Sequence, residues 1–105
     1  IEAPDEAGHL GDVKAKVEAI ERIDECIVGP LLETLRRSDE WRMLISPDHP
    51  TPVARRVHTD VPPPFCMAGH RVHGVVAEPF SEAAAAASNL QIDPGHELME
   101  YFLQS

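Results

Sequence analysis

From Val13 onward apolar residues recur at helical spacing, at Val13, Val17, Ile20, Ile27, Leu31 and Leu35. Lys14, Lys16, Glu18, Glu21, Arg22 and Glu25 fill the other face. The pattern predicts an amphipathic helix covering one side of a core. Asp12 precedes it as an N-cap, and Arg36 and Arg37 close it with the positive charge a helix carboxyl end favours. Gly29-Pro30 interrupts it. Proline donates no amide hydrogen and crowds the carbonyl four residues back, here that of Cys26, so a kink or a break into two helices is expected. Trp41 to Ser46 reads as a buried strand carrying Trp41, Met43, Leu44 and Ile45. Phe65 to Ala68 reads as a second short strand, and Val72 to Ala77 as another strand or an irregular edge. Ser81 caps an alanine-rich helix that Asn89 can end, and Asp93-Pro94 opens a last one with Leu98, Met99, Phe102 and Leu103 turned inward. Ahead of the long helix, residues 1 to 4 read as a strand end. Asp5 to Gly11 then reads as a loop that Gly8 and Gly11 allow to turn.

Alternation of strand, helix, strand, loop, strand and helix points to an α/β layer. The 105 residues make at most one domain, with no internal repeat or linker. Because Ile1 rather than Met comes first and a strand is already under way, the chain reads as a carboxy-terminal piece of something longer. Residues 47 to 64 hold six prolines, too many for a regular element. In α/β layers ligands gather in loops beyond the carboxyl ends of strands, and on this reading Asp5 and Asp48 both fall at such ends.

Charge narrows the partners. Eighteen acidic residues against nine basic ones leave a net charge of −9, which excludes nucleic acid and anionic membrane surfaces, both of which need clustered positive charge. An acidic chain can still take an anionic substrate when bound cations reverse the local field. Cys26 and Cys66 are distant and form no CxxC pattern, so two reduced thiols in a cytosolic chain are the simpler reading. No apolar stretch is long enough to span a bilayer, and the amino end carries no signal segment.

The candidate chemistry lies in two acidic-histidine pairs, Asp5 with His9 and Asp48 with His49, and in His58. Mixed carboxylate and imidazole ligands suit Mn²⁺, Mg²⁺, Co²⁺ or Zn²⁺. Five such side chains exceed what one ion needs, so the chain reads as most of a two-metal site. Each pair alone has an ordinary explanation: a capping Asp beside a solvated His, or a turn stiffened by Pro47 and Pro50. The argument rests on all three features occurring together.

Four segments carry a resemblance: Ala3-Pro4-Asp5-Glu6-Ala7-Gly8-His9, Lys16-Val17-Glu18-Ala19-Ile20-Glu21-Arg22-Ile23-Asp24, Asp48-His49-Pro50-Thr51-Pro52-Val53 and Arg56-Val57-His58-Thr59. In this order they resemble the archaeal-type 2,3-bisphosphoglycerate-independent phosphoglycerate mutases of the alkaline phosphatase superfamily. The ending Gly95-His96-Glu97-Leu98-Met99-Glu100-Tyr101-Phe102 is similar to that family's carboxy terminus. The resemblance covers nearly the whole chain but only the last quarter or so of a full-length member. It implies that residues 1 to 105 are the carboxy-terminal portion of a metal-binding, phosphatase-like domain. That portion would be part of a sheet flanked by helices, incomplete in this chain. It also implies that Asp5, His9 and His58 hold one divalent cation and Asp48 and His49 the second, Mn²⁺ or Mg²⁺ first, with Zn²⁺ or Co²⁺ as alternatives. The family's Ser nucleophile and amino-terminal Asp ligand have no counterpart here, so the missing amino-terminal part is an expected partner and the piece alone is expected to be inactive. Arg56, which matches a family position, is the candidate contact for a phosphoglycerate substrate; Arg55 beside it reads as readily as a solvated cation. Glu6 reads as an exposed acidic residue, Gly8 as serving the turn, and His70, His73 and His96 lie outside the site.

The expected activity is interconversion of 3-phosphoglycerate and 2-phosphoglycerate through a phosphoserine on the missing part. The rivals are another phosphoryl-transfer enzyme of the superfamily, such as a phosphomonoesterase or phosphonate hydrolase, and a non-catalytic metal-binding module. A layer cut from its sheet exposes apolar faces, so self-association is expected. Imidazoles ligate only when neutral, so metal is expected to leave as pH falls below about 6.

Overall fold

The structure, a computed structural model, describes residues 1–74 and 78–104. The first element overturns the expected strand end and loop: Ala3–Leu10 is a helix, α1. Pro4 stands in its first turn, where its missing amide hydrogen costs nothing, and Asp5 and Glu6 follow at the positive end of the helix dipole. Gly11, with φ of 70°, ends it in the left-handed conformation. Its amide donates to the Gly8 carbonyl and that of Asp12 to the Ala7 carbonyl, each at 3.0 Å. This is a Schellman closure, and glycine adopts it without the strain a Cβ would bring.

Asp12 then caps α2 (Val13–Ile23) as expected, its Oδ1 accepting from the Ala15 amide at 3.0 Å. The chain meets Gly29-Pro30 without breaking. Residues Asp24–Val28 widen into a π turn, with the Gly29 amide donating to the Asp24 carbonyl five residues back, and α3 (Gly29–Leu35) carries on. The wider turn accommodates the bond Pro30 cannot donate. Strand β1 (Arg42–Ile45) pairs antiparallel with β2 (Cys66–Gly69), Leu44 opposite Met67. Helix α4 (Glu82–Ala87) starts at the Ser81 cap, whose hydroxyl accepts from the Ala84 amide at 3.1 Å. A 3₁₀ turn (Gly95–Glu97) leads into α5 (Leu98–Gln104). Of the expected strand over Val72 to Ala77, residues 72–74 are irregular and the rest lies outside the described residues.

These elements make a mixture of helices and a small two-stranded sheet, compatible with part of an α/β domain. They fall into two compact units. One is Ile1–Ser38 with Asp48–Pro62; the other is Asp39–Pro47 with the residues from Pro63 on. In the second unit Arg42 reaches the His70 carbonyl through Nε at 3.0 Å and the Phe102 carbonyl through Nη1 at 2.5 Å. Strand β1 is half-buried rather than buried. In α5 only Leu98 and Phe102 turn partly inward, whereas Met99 and Leu103 are exposed.

The first unit has a narrow core. Ala7 and Thr51 are the two buried side chains among the described residues outside glycine, and they lie where the loop after β1 crosses α1. The expected apolar face of α2 and α3 is present but uncovered, with Ile20 and Leu31 each 53% exposed. Cys26 and Cys66 are free thiols, as expected, and burial pushes the Cys66 thiol up. No helix among the described residues is long and apolar enough to cross a membrane.

Candidate metal centre

Helix α1 places Asp5 and His9 four residues apart, hence on one face and one turn from each other. Opposite them lies the loop Asp48–Pro62 of the same unit, shaped by its prolines and by bonds from the Arg55 and Arg56 amides to the Pro52 carbonyl and from the Thr59 amide to the Pro50 carbonyl. The loop can lie this close because position 8 is glycine: a Cβ there would stand 2.5 Å from the Thr51 carbonyl oxygen and 2.9 Å from its Cγ2. Gly8 therefore admits the loop rather than serving a turn, a correction to the expected role. Lys16 of α2 completes the attachment, its Nζ donating to the Thr51 carbonyl at 2.5 Å.

Four of the five expected ligands converge there. His58 Nε2 is 3.0 Å from Asp5 Oδ1 and 3.0 Å from His9 Nε2, and His9 Nε2 is 3.3 Å from Asp5 Oδ1. The His49 ring stacks on His58 with centroids 3.6 Å apart, and Asp5, His49 and His58 each offer a ligand atom within 4.8 Å of the others. Asp48 sits at the rim, its side chain 87% exposed and its Oδ2 3.4 Å from His49 Nε2. The expectation that Asp5 follows a strand does not hold, since it lies within α1, whereas Asp48 does come three residues after β1.

The spacings fit a cation. Two ligands about 2.1 Å from one ion stand about 3.0 Å apart along an octahedral edge and about 3.4 Å along a tetrahedral one. The three atoms of Asp5, His9 and His58 fall in that range. The hydrogen bonds on the far side of the rings support it. His9 Nδ1 lies 2.8 Å from the Arg56 carbonyl, which can only accept, so Nδ1 carries the hydrogen and Nε2 presents its lone pair. Arg56 adopts φ of 57°, which is how its carbonyl comes to face His9. Its guanidinium lies against Gly11, where a Cβ would collide with it.

Asp5 carries the electrostatic signature of the site. Its carboxyl is held below the usual 3.8, first by the Thr51 hydroxyl donating to Oδ1 at 2.6 Å; burial opposes this, and His9 and His58 add to it whenever they are protonated. Glu6 is exposed, as expected. The sequence reading missed Thr51 and Lys16 as parts of the site. Thr51 is only two residues from His49, but nothing in its spacing reveals that its hydroxyl reaches back across forty-six residues to Asp5.

Helix and loop thus bring together a cluster of carboxylate and imidazole groups of the kind that could hold a cation. The Metalloenzyme superfamily model matches residues 1–103, and the chain belongs to that family. It is 44% identical over 98% of its length to the 2,3-bisphosphoglycerate-independent phosphoglycerate mutase of Methanothrix thermoacetophila, covering 26% of that protein. It is 38% identical over 98% of its length to the probable enzyme of that name from Geobacter sulfurreducens, again covering 26%. With the second such mutase of Methanothermobacter thermautotrophicus it shares 40% identity over 98% of the chain and 25% of the relative. The chain spans about a quarter of the length of these curated relatives. No solved structure matches it significantly.

Proposed function

We propose that this chain is the carboxy-terminal, metal-binding portion of a cofactor-independent phosphoglycerate mutase. Asp5, His9 and His58 hold one divalent cation, and Asp48 and His49 contribute to a second, with Mn²⁺ or Mg²⁺ as the first candidates. The observation that carries the proposal is the mutual 3.0–3.3 Å spacing of Asp5 Oδ1, His9 Nε2 and His58 Nε2, drawn from a helix and a loop about fifty residues apart. The names of the relatives supply the substrate class, a phosphoglycerate, and the reading takes the pair interconverted to be 3-phosphoglycerate and 2-phosphoglycerate.

When bound, two such cations would lower the pKa of a nucleophilic hydroxyl and neutralise phosphoryl oxygens. The chain's own residues prepare that field. Asp5 stays ionised through its Thr51 bond, and the Arg56 carbonyl keeps the hydrogen of a neutral His9 ring on Nδ1, leaving Nε2 to ligate. The exposed Arg56 guanidinium is suited to a substrate carboxylate or phosphate, which it can meet with two parallel hydrogen bonds. The nucleophile belongs to the rest of the protein. Ser46, Ser81 and Ser88 are engaged in local bonds of the second unit, and Ser38 follows α3. The phosphoryl group leaves one glycerate hydroxyl for that serine oxygen, and the other glycerate hydroxyl takes it back, so no water is consumed.

Calorimetric titration of Mn²⁺ into the chelator-treated chain tests the ligand assignment. One tight ion and a weaker second, whose shell is incomplete in this chain, are expected for wild type, with the second lost in Asp48→Ala and the first weakened in His58→Ala. Equal isotherms for all three would refute it. In a full-length protein carrying this chain, chelation should abolish mutase activity and Mn²⁺ restore it; activity indifferent to chelation would exclude the metal-dependent mutase.

A further inference from the structure

Thr51 occupies a position that the ligand set alone does not explain. It is 4% exposed in a molecule where little else is buried, and its hydroxyl touches both groups of proposed ligands. Oγ1 is 2.6 Å from Asp5 Oδ1 and 3.2 Å from His49 Nδ1. A hydroxyl has one hydrogen to donate. A carboxylate oxygen only accepts, so at 2.6 Å that hydrogen goes to Asp5, and toward His49 the hydroxyl can only accept. The Pro50 carbonyl, 3.4 Å from the same ring nitrogen, is also an acceptor. His49 Nδ1, faced by two acceptors, must therefore carry the ring hydrogen. In the neutral ring, the form that can ligate a cation, the lone pair is then on Nε2, which faces Asp48 Oδ2 at 3.4 Å. Two electron-rich atoms at that spacing repel unless a positive charge stands between them.

We propose that Thr51 is a positioning residue that couples the two cation sites: one hydroxyl fixes the Asp5 carboxylate of the first and sets the His49 tautomer of the second. This deepens the metal-binding reading above and rests on it. The attachment of the loop serves the same end. Gly8 leaves room for the Thr51 backbone, and Lys16 holds its carbonyl, so the hydroxyl is delivered to a defined point. Groups that orient a ligand in this way typically change metal affinity by about tenfold to hundredfold when removed.

Two variants separate the hydroxyl from the methyl that packs on Gly8. Thr51→Ser keeps the first and Thr51→Val the second. In the chelator-treated chain, ¹⁵N-resolved NMR of the imidazoles should show His49 with its hydrogen on Nδ1 in wild type and in Thr51→Ser, and a mixture of tautomers in Thr51→Val. Mn²⁺ affinity should fall about tenfold or more in Thr51→Val and stay within about threefold in Thr51→Ser. A wild-type His49 protonated on Nε2 overturns the inference without recourse to any variant, even if Thr51→Val does not fold. So does a folded Thr51→Val with wild-type tautomer and affinity. Wild-type chain that binds no cation defeats the metal reading instead, while the tautomer still decides whether Thr51 sets His49.

Discussion

Around Asp5 Oδ1 stand the Thr51 hydroxyl at 2.6 Å, His58 Nε2 at 3.0 Å and His9 Nε2 at 3.3 Å. The carboxyl is accordingly depressed, with the Thr51 hydrogen bond as the largest cause. A group whose value is lowered by folding stabilises the fold above its unfolded value, near 3.8, and that contribution disappears as pH falls through the lower folded value. In metal-free chain, Thr51→Val should therefore move the Asp5 midpoint upward and make unfolding in acid begin at higher pH. A ¹³C titration of the side-chain carboxyls reads this directly, and an unmoved midpoint would contradict the assigned cause. At this scale the sequence pointed to side chains that the fold brings together, because Asp and His in these motifs are conspicuous. It did not reveal Thr51, whose role depends on a partner forty-six residues away.

Helix α1 shows how an element can be misread even where its Asp and His are singled out. Its helical signals were in plain view: proline in the first turn, acidic residues after it, glycine beyond the last residue and Asp-x-x-x-His at one-turn spacing. Eight residues, Gly8 among them, with few large apolar side chains leave almost no periodicity to detect. Gly8 itself is disfavoured in a helix, but the Thr51 backbone lies against it where a Cβ would collide. In Gly8→Ala the intrinsic helix gain of about 1 kcal/mol competes with overpacking of about 1–3 kcal/mol. We expect net destabilisation together with weaker Mn²⁺ binding, measured by thermal unfolding and calorimetry. A stabilised variant with unchanged metal affinity would show that the close approach to Thr51 is not kept. The break expected at Pro30 became a π turn because widening by one residue accommodates the absent donor while the helix continues.

For the molecule as a whole, the uncovered apolar side chains are the main physical fact. Val13, Val17, Ile20, Ile27 and Leu31 line α2 to α3 in the expected pattern, and all are exposed. Burying such a face is worth roughly 25 cal/mol per Å², so water contact there favours association with any complementary apolar surface. Sedimentation velocity of the 105-residue chain should show its average mass rising with concentration, and the double variant Ile20→Lys with Leu31→Lys should suppress the rise. A strictly monomeric wild type at high concentration would refute this. The buried strand core expected from Met43, Leu44 and Ile45 is only half-formed, because among the described residues β1 has one partner, β2.

The sequence by itself determined the amphipathic helix, its Asp12 cap, the two strands, the Ser81-capped helix and the residues able to hold cations. Each of these follows from local periodicity, capping chemistry or side-chain type. Only the tertiary structure decided that α1 and the proline-rich loop face each other, that Gly8 makes room, and that Thr51 and the Arg56 carbonyl dictate which imidazole nitrogens are free. Those outcomes depend on distances and hydrogen-bond directions between residues remote in the chain, and such relations exist only once the backbone has folded.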